Sequence, residues 1–409
     1  MTTVRLAILV VTYLLIATNG VPRLRLRRPV TAALGALAMV LAGGLPVREA
    51  ARAVDVNVLA FLLGVMVMAA YLETGGFFER VAGWLMLRFP QPHRLLAAVV
   101  AASGVLSAFF MNDTLCLVLP PLVIATVRPL GIRPAPYLLA VALAANVGSA
   151  MAISGNPQNM LIGISSGIAF GRFLWMLLPA SIGGLVLVYA VLRVLYRREL
   201  ALPAQAPRPA PELPFDGPLV ARVLAVFAVA LGGWLLGYDL PAVAMAGGVA
   251  AAVVAWRSPL PALRRVEWPL LLFFAALFVL MEGVRATPAV TSISAAALRH
   301  TGSGPWADAW VVSGAMVLLS NLVSNVPAVI LWLPVVPRLP RPDWIWLVMA
   351  MSSTFAGNLT LLGSMANLIV AERAQSRGVA LGFGEYLRAG LPVTVLTLAW
   401  GVATLVWMR

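Results

Sequence analysis

Apolar stretches of membrane-spanning length recur along the whole chain, and charge is confined to the short connections between them. The segments 4–19, 30–46, 55–72, 172–195, 219–237, 240–256, 268–286 and 386–408 each cross, or nearly cross, the ~30 Å of hydrocarbon in a bilayer when wound as helices. Two longer blocks, 137–168 and 342–373, are apolar but interrupted by polar residues, and 95–128 and 306–335 read as apolar hairpins. Only 11% of the residues are charged and 61% are hydrophobic, whereas about a quarter of a soluble chain is charged. The short alternating segments of a transmembrane barrel are absent. The chain is therefore expected to be an all-α integral membrane protein.

The net charge of +14 could suggest nucleic acid. Its placement in short loops points instead to orientation of the chain in the membrane. All 29 basic residues are Arg, and alternate assignment of the loops puts 20 of them on one side and nine on the other. The richer side holds Arg23, Arg25, Arg27, Arg28, Arg193, Arg197, Arg198, Arg264 and Arg265. It also holds the polar, Pro-rich connector within 197–218. That side is expected to be cytoplasmic, with both termini outside the inner membrane. The apolar N-terminus lacks the basic cluster and cleavage site of a signal peptide and reads as the first span. A single cysteine, Cys116, excludes a disulfide framework and a multi-thiolate metal site. His93 and His300 lie in polar connectors, so no metal and no cofactor are expected.

The chain repeats itself. "FGRFLWMLLP" (170–179) aligns without gaps to "FGEYLRAGLP" (383–392), and "AISGNPQNMLIG" (152–163) to "TLLGSMANLIVA" (360–371). The second pairing matches Gly155 with Gly363 and Asn159 with Asn367. "NDTLCLVLPP" (112–121) and "SNVPAVILWLP" (324–334) each place Asn ahead of an apolar run that ends in Pro. Three matches in the same order predict two halves, 1–198 and 219–409, joined by a linker at 199–218. Five spanning helices plus one re-entrant hairpin in each half would leave the halves in opposite orientation, the inverted repeat of secondary transporters.

The interrupted blocks carry the chemistry. Irregular backbone at membrane depth is tolerated only where protein buries it or a wet cavity solvates it. The step Gly155-Asn156-Pro157 should stop one half-helix and start another, with Pro157 in its first turn. The free N–H groups of the second half-helix would then face the membrane centre, a site for an anion or an oxygen-rich solute. Carbonyls of the first half-helix, with Asn146, Ser149, Asn156 and Asn159, could hold a cation or a hydroxyl. Gly357, Asn358, Thr360, Gly363, Ser364 and Asn367 offer the same in the second copy. The alternative is that these small and amide residues only allow close helix packing.

The hairpin tips "FFMNDTLC" (109–116) and "NLVSNVPA" (321–328) put a polar turn between apolar arms of roughly 14 residues, too short to cross separately. Asp113 is the one carboxylate expected deep in the membrane. A charge there costs at least ~2.5–3.5 kcal/mol on insertion scales, so it needs a partner, a proton or a function. It is expected to hold and release H⁺ or Na⁺; the alternative is a protonated cap of the returning arm. Its counterpart in the second tip is Val326, or Pro327 under a one-residue shift. Glu73 and Glu282 with Arg285 read as interfacial charges or a local ion pair, Glu372 with Arg373 as a solvated helix end, and Cys116 as a packing residue.

The succession "NDTLCLVLPPLV", "GNPQNMLIG", "SNVPAVILWLP" and "GNLTLLGSMANLIVAE" resembles the ion transporter superfamily. That group includes arsenite-efflux pumps, sodium/proton antiporters of the same fold, silicic-acid exporters and divalent anion/sodium symporters. The resemblance implies re-entrant hairpins, a scaffold that often forms a homodimer, and an elevator-like movement. Carried onto matching positions, it implies a first cation site at Asn112, Asp113, Thr114 and the Gly155 loop. A second would lie at Ser324, Asn325 and the Gly363 loop. Substrate would sit between Asn112, Asp113, Thr114, Asn156, Asn159, Asn325 and Asn367. The sodium-coupled dicarboxylate members carry Ser-Asn-Thr at both tips, whereas here the tips read Asn-Asp-Thr and Ser-Asn-Val. Asn-Asp is closer to the arsenite-efflux pattern.

The expected function is secondary active transport of a small inorganic oxyanion or weak oxyacid, arsenite- or silicate-like, coupled to H⁺ or Na⁺. A sodium/proton antiporter or a sodium-coupled dicarboxylate symporter is the alternative. An enzyme would need a nucleophile–base pair or a metal constellation, and the sequence offers neither. Membrane lipid and a small solute are the expected partners, and nucleic acid is not.

Overall fold

The computed structural model describes residues 2–17, 28–201, 214–256, 258–285 and 287–409. Arg23, Arg25, Arg27 and most of the expected linker (202–213) lie outside the described residues. Every regular element among those described is helical. The first set comprises α1 (Thr2–Ala17), α2 (Arg28–Leu41), α3 (Val47–Ala53), α4 (Val56–Thr74) and α5 (Phe77–Arg88), then α6 (Pro92–Phe110), α7 (Asn112–Val127), α8 (Ala135–Ser149), α9 (Pro157–Ser166) and α10 (Phe170–Leu195). After the short α11 (Arg197–Leu200), a second set follows in the same order. It comprises α12 (Gly217–Leu235), α13 (Leu240–Val254), α14 (Leu260–Leu263), α15 (Trp268–Arg285) and α16 (Pro288–His300), then α17 (Pro305–Val323), α18 (Asn325–Trp332), α19 (Pro342–Ala356), α20 (Met365–Gln375) and α21 (Phe383–Trp407).

Eight of the described helices are long and apolar enough to cross a membrane, and α1, α2, α8 and α13 are shorter apolar helices. Two differences from the sequence reading concern the hairpins. The arms α6 and α17 have 19 residues each, not the shorter length expected, so length alone does not forbid their crossing. The small helices α5 and α16 precede the hairpins and were not foreseen. α5 is short and mixes Glu79, Arg80 and Arg88 with apolar residues, which hides it from a search for apolar runs.

Packing follows the same twofold correspondence. α2 packs on α15 and α13 on α4; α6 on α8 and α17 on α19; and α10 packs on its own counterpart α21. Small residues make the closest crossings possible, as expected where lipid supplies no hydrophobic drive between helices. A Cβ on Gly148 of α8 would overlap the backbone of Gly104 in α6, and one on Gly64 of α4 would overlap Ala244 in α13. Every residue of α8 is buried, so this interrupted helix is wrapped by protein on all sides. At the mouth of the second hairpin Asp308, fully buried, accepts from Arg341 Nη2 at 2.7 Å and from the Gly302 amide at 2.7 Å. A buried carboxyl is either paired in this way or held neutral by a proton.

Candidate functional site: a chamber between two hairpin tips

Four helices begin at one place. The tip residues Met111 and Ser324 turn each hairpin in a single step, with φ of 62° and 71°, and α7 and α18 start directly after them at Asn112 and Asn325. Such backbone in a residue other than glycine costs on the order of 1–3 kcal/mol and collects at functional sites. α9 starts at Pro157, capped by Asn156 Oδ1, which accepts from the Asn159 amide at 2.8 Å. α20 starts at Met365 after Ser364. The first residues of all four helices line one chamber of about 20 Å³, closed on a further side by Phe273, Phe274 and Leu277 of α15. Each helix start carries roughly half a positive charge.

The breaks are longer than the Gly-Asn-Pro step suggested. α8 ends at Ser149, and residues 150–156 are irregular apart from one 3-10 turn at Ile153–Gly155. α19 ends at Ala356, and its break runs through Gly357–Ser364. Both breaks are closed by the same device. Asn159 Nδ2 donates to the carbonyls of Ser149, Ala150 and Ala152 at 3.1–3.2 Å. Asn367 Nδ2 donates to those of Gly357 (2.7 Å) and Thr360 (3.1 Å). The Ala152 and Thr360 carbonyls also accept from the Gly155 and Gly363 amides, at 3.1 and 3.0 Å; a carbonyl freed by a break at membrane depth would cost several kcal/mol if left unpaired. Gly155 is required because a Cβ there would overlap the Ser149 carbonyl. Asn159 Oδ1 is buried and has no hydrogen-bond partner, a free acceptor beside the first break.

Among the described residues Asn146 makes the most hydrogen bonds between the two halves. Asn146 Nδ2 donates to Asn358 Oδ1 and to Asn367 Oδ1, both at 2.9 Å. Its Oδ1 accepts from Asn112 Nδ2 (3.1 Å) and from the Ser364 hydroxyl (3.2 Å). The counterpart of Asn146 in α19 is Thr354, whose hydroxyl accepts from Asn156 and Gln158 at 3.4 and 3.3 Å. The second tip is held by Asn325, whose Nδ2 donates to the carbonyls of Ser353 and Gly363 at 3.1 Å each.

The residues singled out from sequence separate into two groups. Asn112, Asp113, Ser324 and Asn325 line the chamber. Asn156, Asn159, Asn367, Gly155 and Gly363 lie behind it, where the amide groups brace the breaks. Thr114, half-buried, follows Asp113 in the first turn of α7 and is not among the lining residues. Gln158 and the α15 phenylalanines are lining residues that sequence reasoning missed. Gln158 sits inside the quoted motif, but the Phe pair is indistinguishable from any apolar helix face.

Two larger spaces approach the chamber. On the side of the Arg-rich loops a vestibule of about 570 Å³ runs between Arg28, Glu267, Glu372 and Arg373 and ends on Asp113. Glu372 is not simply solvated there: its Oε1 is 2.9 Å from Arg28 Nη2. On the opposite side a space of about 390 Å³, bordered by Glu49, Arg52 and Glu282, stops at Leu161, Phe278 and Met281. Asp113 is 6% exposed and reached from the Arg-rich side.

The sequence profile of the citrate transporter family matches residues 13–352. The 46 kDa membrane protein of Mycobacterium leprae is 29% identical over 100% of this chain and 99% of its own. The silicon efflux transporter LSI3 of Oryza sativa subsp. japonica is 29% identical, over 95% of this chain and 94% of that one. The putative transporter arsB of Dictyostelium discoideum is 24% identical, over 91% and 86%. In three dimensions the chain is similar to the YdaH transporter of Alcanivorax borkumensis, with a TM-score of 0.60 at 19% identity over 98% of this chain and 96% of that one. That likeness bears on the fold.

Proposed function

The chain belongs to the citrate transporter family and is a multi-pass membrane transporter; on that premise we propose that it moves a small inorganic oxyanion or weak oxyacid coupled to H⁺ or Na⁺ through Asp113. The observation that carries this is the convergence of four helix starts on one small chamber whose wall holds amides, two serine residues and a single carboxylate. Four positive dipole ends favour an anion or the oxygens of an oxyacid. Among the described lining residues no arginine is present, so a multiply charged solute would have to be neutralised by helix ends and bound cations alone. A cavity of about 20 Å³ holds little more than one water-sized group. Citrate would need the tips to part widely, whereas a solute of a few heavy atoms would not. Relatives named for silicon efflux and arsB agree with a small oxyacid.

Alternating access follows from the repeat. α4 packs against α9, while their counterparts α15 and α20 part to form walls of the open vestibule. Exchange of these two arrangements opens the other face and closes this one. In this scheme the halves 1–198 and 219–409 are inverted, the hairpins are re-entrant, and the hairpins with their broken helices slide as an elevator against α2, α4, α13 and α15. The bias of arginines supports a cytoplasmic linker with both termini outside the inner membrane. A homodimer through the scaffold is proposed on the superfamily resemblance.

The test is flux in proteoliposomes with arsenite, silicic acid, phosphate and citrate, each under an imposed pH or Na⁺ gradient. Saturable, gradient-driven flux of a small oxyacid or oxyanion, with citrate not carried, is the expected result. Citrate as the sole solute carried, or Na⁺/H⁺ exchange that needs no solute, would overturn it.

A further inference from the structure

The vestibule on the Arg-rich side carries a charge that a passage for anions does not explain. Arg28 and Glu372 neutralise each other there. Glu267, on the turn leading into α15, is half-buried in the vestibule wall, and no hydrogen bond or ion pair holds its side chain among the described residues. The same space ends on Asp113, nine-tenths buried, whose carboxyl is likewise unheld, while its backbone amide donates to Asn112 Oδ1 at 3.0 Å. An unpaired carboxylate on the entry route repels an arriving anion, and its partial burial costs free energy. It is intelligible if protons use that route as well.

We propose that Glu267 is the outer carboxylate of a proton path, taking a proton from the linker-side solution and handing it through vestibule water to Asp113. The proposal rests on the coupling role of Asp113 and goes beyond it by naming the ion and the first residue it meets. A space of about 570 Å³ holds a continuous body of water between the two groups. The proton leaves a hydronium or buffer acid for the Glu267 carboxylate, passes to a water that gives up one of its own, and ends on the Asp113 carboxylate. Only O–H bonds form and break. Burial raises the Glu267 carboxyl above the usual carboxylate range, and Arg373 across the vestibule partly offsets this. Such a group loads nearer to neutral pH than a free glutamate and still releases its proton. The other charges facing it are Arg28 on α2, Glu372 on α20 and Asp113 on α7. Arg264 and Arg265 stand on its own turn, the latter paired with Glu73 of α4. Carboxylate chains of this kind serve as proton relays in pumps.

Glu267→Gln, Glu267→Asp and Asp113→Asn are compared in proteoliposomes by the initial rate of pH-driven solute flux at low and high concentrations of small diffusible buffer. Glu267→Gln is expected to slow flux several-fold at low buffer and to recover at high buffer, because a mobile acid replaces the relay. Glu267→Asp is expected to stay near the wild-type rate, and solute affinity to stay unchanged. An unaltered rate for Glu267→Gln at low buffer overturns the proposal, as does a loss that buffer does not restore. If Asp113→Asn abolishes gradient-driven flux while Glu267→Gln is unaffected, only the relay falls. If Asp113→Asn keeps its gradient dependence, the coupling role falls first and the relay with it.

Discussion

The two hairpin tips are built on one plan and differ in chemistry. Each turns at a residue of positive φ, Met111 or Ser324, and each starts its returning helix with Asn. Each Asn is tied to the broken helix of its own half, Asn112 to Asn146 and Asn325 to the Ser353 and Gly363 carbonyls. The next residue is Asp113 in the first tip and Val326 in the second. The first tip is also seated more tightly, because α6 and α8 meet at Gly104 and Gly148. The comparison separates what both tips need, a helix start aimed at the chamber, from what only one supplies, a titratable group.

The largest effect should come from erasing that difference. Asp113→Val, which makes the first tip like the second, is expected to abolish gradient-driven solute accumulation in proteoliposomes while protein yield and melting temperature hold. Next is the hub. Asn146→Ala takes the donor from Asn358 Oδ1 and Asn367 Oδ1 and the acceptor from Asn112 Nδ2 and the Ser364 hydroxyl, and should cost about 3 kcal/mol. Thr354→Ala, at the matching position, loses only two long bonds and should cost about 1 kcal/mol. Thermal unfolding in detergent, followed by tryptophan fluorescence, ranks the pair.

The seams give a third contrast. Gly148→Ala forces a methyl into the α6 backbone and is expected to destabilise by about 2 kcal/mol. Gly314→Ala, on the open face of α17 where a Cβ meets nothing, should stabilise by about 0.5–1 kcal/mol. The smallest effects are at the turns. Ser324→Gly relieves an unfavourable φ and should stabilise by about 1 kcal/mol. Met111→Gly relieves the same strain but gives up a fully buried side chain, so it should be neutral or slightly destabilising.

Much of this arrangement is legible in the sequence because a membrane restricts the options. Apolar runs locate the helices to within a few residues, and a Pro or Gly inside such a run has few uses other than a break. "GNPQN" and "GSMAN" therefore mark the irregular segments, and "MNDT" and "VSNV" mark the tips. Partner choice was not legible. Asn159 and Asn367 lie on the expected segments, yet their donors close the breaks, because carbonyls released between Ser149 and Ala152 have no water to turn to. The role of Asn146 depends on α8 and α20 meeting, over two hundred residues apart in the chain. The hairpin arms run longer than expected because helix continues through polar positions such as His93 and Arg94 before the first arm and Asn321 at the second tip.

The claim on which the rest depends is that solute sits between the tips and that Asp113 ties its movement to a cation. Equilibrium exchange of labelled solute, measured in the same liposomes as gradient-driven accumulation, tests both parts. For Asp113→Asn, exchange of solute for solute without any gradient is expected to continue, while accumulation against a pH or Na⁺ gradient vanishes. Accumulation in that variant equal to the wild type would contradict the account.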